Sequence, residues 1–166
     1  MDVLRTIIGV MGGAVASDHT SQNAFELGRL IAENGWVLLN GGRDAGVMAA
    51  SARGAAEAGG MVIGILPGDS TNGASPHLDL AIPTGLGDAR NAVNVLASDV
   101  VVALPGGAGT ISEVALALKS HRPVIALGFP LGVSFTPYYD RRQLVDASTP
   151  EEAIEAVRSF LAEEAS

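Results

Sequence analysis

Short runs of apolar, often β-branched residues alternate along the chain with longer segments rich in Ala and Leu. This alternation is typical of βαβ units, in which helices cover both faces of a parallel sheet. Strands that are buried on both faces are apolar at nearly every position. The runs that predict strands are Ile7–Met11, Trp36–Leu39, Met61–Leu66, Leu80–Ile82, Val100–Leu104 and Val124–Leu127.

The segments between these runs predict helices. The last of them opens with Thr149-Pro150-Glu151-Glu152, which combines a capping box with proline at the first helical position, and Asp88 is a natural N-cap. Two segments are rich in Gly, Ser or Pro: 68–76 is expected to be a loop, and 128–139 a loop or an irregular edge. The predicted helices are Ser21–Glu33, Val47–Ala58, Asp88–Ala97, Thr110–Lys119 and Thr149–Glu164. Residues 1–166 therefore predict a single Rossmann-like α/β domain with a mostly parallel sheet and helices on both faces.

Composition and charge narrow the possible functions. Hydrophobic residues make up 48% and charged residues 17% of the 166 residues, so disorder is not expected, and the sparse charge favours a homo-oligomer. The net charge of −8 argues against a nucleic-acid partner. No apolar run is long enough to span a membrane, and the first residues lack the arrangement of a signal peptide. Together with the absence of Cys, this favours a cytoplasmic location.

Four turns that contain glycine follow predicted strands: Gly12-Gly13, Asn40-Gly41-Gly42, Gly85-Leu86-Gly87 and Pro105–Gly109. Because the carboxyl ends of parallel strands share one edge of the sheet, these turns are expected to converge on one ligand crevice. Glycine also serves in tight turns that bind nothing, so the structural interpretation stays open for each turn taken alone.

The segment Pro105–Glu113 carries the strongest chemical signal. Gly106, Gly107 and Gly109 allow a close backbone approach to a ligand, and Thr110 follows at the predicted start of a helix, whose N-terminus favours an anion. The segment therefore predicts a phosphate site. Ser112 stands where a dinucleotide-binding fingerprint has its third glycine, and the chain contains no Gly-Lys pair. Neither NAD nor a P-loop nucleotide is thus the expected ligand.

Charged and polar residues near the turns complete the candidate site. Arg43 and Arg90 each follow a glycine-containing turn and are candidates to hold a phosphate, with Asn91 as a candidate ring or sugar contact. Glu113 has two open interpretations: the partner of Thr110 in a capping box, or a carboxylate that faces a bound sugar as general acid/base. Lys119 lies far from any turn, which argues against pyridoxal phosphate. The three His residues and the absence of Cys suggest no protein-ligated metal.

The sequence P-G-G-A-G-T-I-S-E at Pro105–Glu113 resembles the P-G-G-x-G-T-x-x-E signature of the Lonely Guy superfamily. Asn40–Met48 is similar to its G-G-x-x-x-G-x-M loop, and the resemblance extends from Ile7 to about Leu127. It implies a Rossmann-like fold that binds a nucleotide phosphate, usually as a dimer or tetramer.

Two branches of that superfamily imply different activities. Its phosphoribohydrolases cleave the N-glycosidic bond of AMP or of cytokinin riboside monophosphates with an Arg and the motif Glu. Arg90 and Glu113 correspond to them, although Asn91 stands where the E-R-K segment has Lys. The short chain and the segments 65–68 and 82–91 are more similar to molybdenum cofactor carrier proteins, which bind a phosphorylated pterin without turning it over.

The sequence therefore favours a carrier for a small phosphorylated heterocycle, molybdenum cofactor or a nucleotide, over an enzyme. The alternative is a nucleoside-5'-monophosphate phosphoribohydrolase, with Arg90 and Glu113 as catalytic residues. A nucleotide-sensing module is a third, lower-ranked hypothesis. The ligand-binding residues expected in the first case are Gly12, Gly13, Gly41, Gly42, Arg43, Arg90, Asn91, Gly106, Gly107, Gly109 and Thr110.

Overall fold

A computed structural model describes residues 4–164. Seven β-strands and six α-helices alternate along them. The strands are β1 (Ile7–Met11), β2 (Val37–Asn40), β3 (Val62–Leu66), β4 (Leu80–Pro83), β5 (Val100–Ala103), β6 (Val124–Leu127) and β7 (Leu144–Ala147). The helices are α1 (Asp18–Glu33), α2 (Gly46–Glu57), α3 (Arg90–Leu96), α4 (Ala108–Lys119), α5 (Thr136–Asp140) and α6 (Pro150–Glu164).

All seven strands form one parallel sheet in the order β4-β3-β2-β1-β5-β6-β7. The chain builds outward from β1 to β4, then crosses back to place β5 on the other side of β1. In the register of that central pair, Ile8 lies opposite Val100 and Met11 opposite Ala103. The order of the strands therefore reverses at β1 and β5, where open α/β sheets bind ligands beyond the carboxyl ends of the strands.

Helices cover the sheet on both faces. On one face α1 packs against α2 and α6, and on the other α3 packs against α4. Each face has its own apolar cluster, one around Leu27 and Ile154, the other around Val95 and Val114. The strands between them are buried on both faces, β1 from Ile8 onward and β2, β5 and β6 entirely, and their residues are apolar apart from Asn40 at the end of β2. The predicted Rossmann-like α/β fold is thus confirmed.

Most predicted elements are present, with differences at some ends. Helix α1 begins three residues earlier than predicted, because Ser17 is its N-cap and accepts a hydrogen bond from the Thr20 N–H at 3.1 Å. At α6 the Thr149 hydroxyl accepts from the Glu152 N–H at 3.1 Å, and the Glu152 carboxylate accepts from the Ser148 N–H at 2.7 Å. The prediction of Asp88 as an N-cap is wrong, since a short 3₁₀ turn leads into α3 and no side chain caps it.

The prediction of a loop or an irregular edge over residues 128–139 is wrong for its last residues. Helix α5 begins within that segment at Thr136, and β7 follows it as an edge strand. Among residues 4–164, no helix combines the length and the apolar character needed to cross a bilayer.

Candidate functional site

The candidate site is a cavity of about 200 Å³ at the carboxyl edge of the central strands. The loops after β1 and β5 are joined beside it, since the Gly13 N–H donates to the Pro105 carbonyl at 3.1 Å. The loop after β2 and the start of α3 complete its walls. The cavity lies at the point where the order of the strands reverses. Glycine-containing turns that were expected to converge on one crevice come together there.

Ten of the residues expected at the site line this one cavity. They come from four separate segments of the chain. They are Gly12, Gly13, Gly41, Arg43, Arg90, Asn91, Gly107, Gly109, Thr110 and Glu113. Five further lining residues were not singled out for ligand binding by the sequence: Val10, Met11, Ala14, Met48 and Asp88.

Gly42 and Gly106 do not line the cavity. Gly42 has a φ of +76°, and a Cβ there would meet the side chain of Leu66 at 2.9 Å. At Gly106 a Cβ would lie 2.1 Å from Thr110 Oγ1 and 2.8 Å from the Gly13 nitrogen. Both glycines are therefore required by close packing, whatever else they do.

The glycines of the turn after β4 do not line the cavity, unlike glycines of the turns after β1, β2 and β5. Gly85 and Gly87 have φ angles of +65° and +55°, and a Cβ at either would meet nothing within 4 Å. They shape the turn, while the residue that reaches the cavity from it is Asp88.

Helix α4 points its N-terminus at the cavity. Gly107 is its N-cap, and no side chain caps the helix. The N–H groups of its first turn are thus available as donors, and the helix dipole adds partial positive charge there. Thr110 and Glu113 do not form the predicted capping box, because the helix begins two residues before Thr110 and the Glu113 carboxylate bonds elsewhere.

Two arginines that line the cavity add positive charge to it. Arg90 Nη1 donates to the carbonyls of Gly41 and of Ile65, the latter at 2.6 Å, which ties α3 to the ends of β2 and β3. Burial is the main cause that lowers the pKa of the Arg90 guanidinium; Arg43 lowers it too, whereas Glu113 and Asp88 oppose the change. Arg43 is exposed and lines the cavity from the loop after β2.

Glu113 is buried in the cavity wall, with 8% of its surface exposed. Its Oε1 accepts a hydrogen bond from Asn94 Nδ2 at 2.9 Å. Burial raises the pKa of Glu113 above its ordinary value, and the bond from Asn94 and the charge of Arg90 oppose that rise. Sequence analysis did not identify Asn94, although it lies four residues after Arg90 and hence on the same side of a helix.

Asn40 and Asn91 order the walls by hydrogen bonds. Buried Asn40 donates to the Met48 carbonyl at 3.0 Å and accepts from the Gly42 N–H at 2.8 Å, which holds the turn after β2 against α2. Asn91 Nδ2 donates to the Ser112 hydroxyl at 3.1 Å, and that hydroxyl donates to the Gly109 carbonyl at 2.6 Å. Within residues 4–164, no group of three or more His, Asp or Glu side chains is arranged to hold a metal ion.

The parallel sheet and the cavity at its reversal point define a Rossmann-like α/β protein with a candidate ligand site. The chain belongs to the SLOG cluster4 family, whose sequence profile matches residues 5–154. An uncharacterized protein of Archaeoglobus fulgidus is 41% identical over 147 residues, which are 89% of this chain and 91% of that protein.

Solved structures of similar proteins agree with this assignment. The molybdenum cofactor binding protein of the phototrophic bacterium Rippkaea orientalis is 48% identical, with a TM-score of 0.90 over 96% of this chain and 99% of that one. The molybdenum cofactor carrier protein of Chlamydomonas reinhardtii is 45% identical, with a TM-score of 0.88 and the same coverage. The resemblance to the Lonely Guy superfamily and its carrier branch is thereby confirmed.

Proposed function

We propose that this protein is a carrier that binds a small phosphorylated heterocycle in the cavity at the carboxyl edge of the sheet. The observation that carries the proposal is the meeting of an uncapped helix N-terminus, at Gly107 and Gly109, with Arg43 and Arg90 around one cavity. Backbone N–H groups and guanidinium groups are the usual donors to phosphate. The phosphate is held at the start of α4, and Gly12, Gly13 and Gly41 let the ligand approach the backbone.

Molybdenum cofactor, a phosphorylated pterin, is the ligand we favour. The two solved structures described above support this choice, since both are of molybdenum cofactor carrier or binding proteins. The buried side chains of Met11 and Met48 provide an apolar floor for a flat ring. A nucleotide presents the same phosphate and a ring of similar shape, and is the second candidate ligand.

An enzymatic role is the alternative, because Arg90 and Glu113 line the same cavity. A probable cytokinin riboside 5'-monophosphate phosphoribohydrolase of Oryza sativa is 34% identical over 96 residues, which are 54% of this chain and 37% of that protein. In this alternative Arg90 holds the phosphate, and Glu113 stabilises the positive charge that develops on the sugar as the N-glycosidic bond breaks.

We further propose that the protein acts in the cytoplasm as a homo-oligomer, a dimer or a tetramer. Several large apolar side chains are exposed, including Leu80 and Ile82 on the edge strand β4 and Leu96 at the end of α3. Burial of such side chains between subunits would stabilise an assembly. Sedimentation of the purified protein gives its mass directly, and a monomer at micromolar concentration would contradict this part of the proposal.

Titration calorimetry with a pterin monophosphate and with AMP tests the carrier role, with each mixture analysed afterwards for free base. The carrier proposal expects saturable binding without release. Arg43→Ala is expected to weaken binding roughly tenfold, whereas Arg141→Ala, an exposed arginine outside the cavity, leaves it unchanged. Base release that is lost in Glu113→Gln would establish the enzyme instead, and equal effects of the two arginine variants would contradict the assigned site.

A further inference from the structure

A pair of buried polar side chains joins the two helices that frame the cavity. Asn94 on α3 is completely buried, and Glu113 on α4 is nearly so. Asn94 Nδ2 donates to Glu113 Oε1 at 2.9 Å. Glu113 lines the cavity and Asn94 does not, so the hydrogen bond to Glu113 links the Asn94 side chain to the cavity.

In the side-chain amide of Asn94, the nitrogen makes a hydrogen bond and the oxygen makes none to the described residues. Its Oδ1 is buried and accepts no hydrogen bond from residues 4–164, while Ser98 Oγ donates to its backbone carbonyl at 2.7 Å. A buried amide oxygen without a partner costs free energy. Within the described residues, the Asn94 side chain makes one hydrogen bond, the contact to Glu113, and this contact orients the carboxyl group.

The same contact favours one protonation state of Glu113. An amide N–H donates most strongly to an ionised carboxylate, and Arg90 on α3 attracts the same charge. Arg43 and Asp88 are the other charged residues around the cavity. Burial opposes ionisation and raises the pKa of Glu113, so the hydrogen bond from Asn94 counteracts the burial of the carboxyl group.

The second carboxylate oxygen of Glu113, Oε2, is available to contact a ligand in the cavity. Oε2 makes no hydrogen bond to the described part of the chain, and as an ionised oxygen it only accepts. Pterin and guanine rings present a ring N–H next to an amino group, which pairs with a carboxylate. The adenine ring presents an acceptor nitrogen beside its amino group, and that nitrogen would face the negative oxygen.

We propose that Asn94 is a positioning residue that holds Glu113 as an ionised acceptor in the cavity, and that the site therefore selects phosphorylated heterocycles of the pterin or guanine type over those of the adenine type. This inference rests on the proposed phosphate-binding function of the cavity. It adds a discrimination between rings, which phosphate contacts alone do not provide.

GMP and AMP are suitable probes, because they share the phosphate and the ribose and differ in the ring edge. We expect GMP to bind at least about tenfold more tightly than AMP at neutral pH. The affinity for GMP should fall as the pH is lowered through the pKa of Glu113. In Asn94→Leu, which keeps the branched shape and the number of side-chain heavy atoms without the N–H, this fall should move to higher pH by about one unit. The phosphate, which AMP shares, also takes up a proton at about pH 6 and weakens binding, so Glu113→Gln should abolish only the part of the fall that AMP does not show.

Ser98→Ala is the matched control, since it removes a buried hydroxyl bonded to Asn94 without touching Glu113. It should leave the pH profile unchanged. If Asn94→Leu does not fold, Asn94→Asp replaces it: the second carboxylate should also raise the pKa of Glu113. Carbon NMR titration of the Glu113 carboxyl in the ligand-free protein gives the same shift directly.

The outcomes separate the two proposals. Equal affinity for GMP and AMP would overturn the selection of rings. An unchanged pKa of Glu113 in the Asn94 variant that folds would overturn the positioning role. If the wild-type protein binds neither nucleotide nor a pterin monophosphate, the proposed function fails and the ring selection fails with it, while the ligand-free titration still decides the role of Asn94.

Discussion

Replacing Gly106 by alanine tests the packing between the loops after β1 and β5. The added Cβ would lie 2.1 Å from Thr110 Oγ1, 2.8 Å from Thr110 Cβ and 2.8 Å from the Gly13 nitrogen. Rotation of the Thr110 side chain relieves the first contact only, because the other two involve its Cβ and the backbone. The loop after β5 must therefore move away from the loop after β1, which weakens the bond from the Gly13 N–H to the Pro105 carbonyl.

Overpacking of this kind costs about 2–3 kcal/mol. For a domain of this size, that corresponds to a melting temperature lower by roughly 5–10 °C. Gly107→Ala is the matched control at the next position, since a Cβ there meets nothing within 4 Å and the φ of −93° suits alanine. Its stability should differ from that of the wild type by less than about 1 kcal/mol.

Thermal unfolding followed by circular dichroism compares the two variants under one set of conditions. Thr110→Ala in the Gly106→Ala background should recover only part of the loss, since the Gly13 nitrogen still lies too close. Melting temperatures of Gly106→Ala and Gly107→Ala within about 1 °C of each other would refute the argument from packing.

Three further predictions follow from buried or hydrogen-bonded groups. In Asn40→Leu the free energy of unfolding measured with urea should be lower by about 2–3 kcal/mol, because the buried Gly42 N–H loses its acceptor. A decrease below about 0.5 kcal/mol would contradict this role of Asn40. Glu113→Gln should stabilise the protein at neutral pH, since the raised pKa of Glu113 means that stability falls as pH rises through that pKa; equal pH–stability curves for variant and wild type would refute it. Burial and the bond to Asp146 raise the pKa of Tyr139 to about 12 from 10, so stability should fall between those pH values, and Tyr139→Phe should reduce that fall.

The sequence predicts the fold well where strands are buried on both faces. The predicted runs for β1, β3, β5 and β6 differ from the observed strands by no more than one residue at either end. Strand β7 escaped prediction because Leu144-Val145-Asp146-Ala147 lies at the edge of the sheet, where Asp146 is exposed and interrupts the apolar run. Edge strands lack the continuous signal because water reaches one side of them.

Local sequence patterns predict the candidate site less completely than they predict the strands. Glycines mark the turns, but a glycine that lines the cavity, such as Gly107, and one that is required by close packing, such as Gly106, look the same in sequence. The T-x-x-E pattern suggested a capping box, whereas Glu113 pairs with Asn94 across two helices. That contact joins residues 19 positions apart, and it depends on how α3 and α4 pack on the sheet.

The most direct test of the central claim is the pterin content of the protein purified from cells that make molybdenum cofactor. The bound pterin is released by denaturation, oxidised to a fluorescent product and quantified per mole of protein. We predict close to one equivalent in the wild type and in Arg141→Ala, and a strong reduction in Arg43→Ala. Only traces of pterin in the wild type, or equal content in all three proteins, would contradict the account.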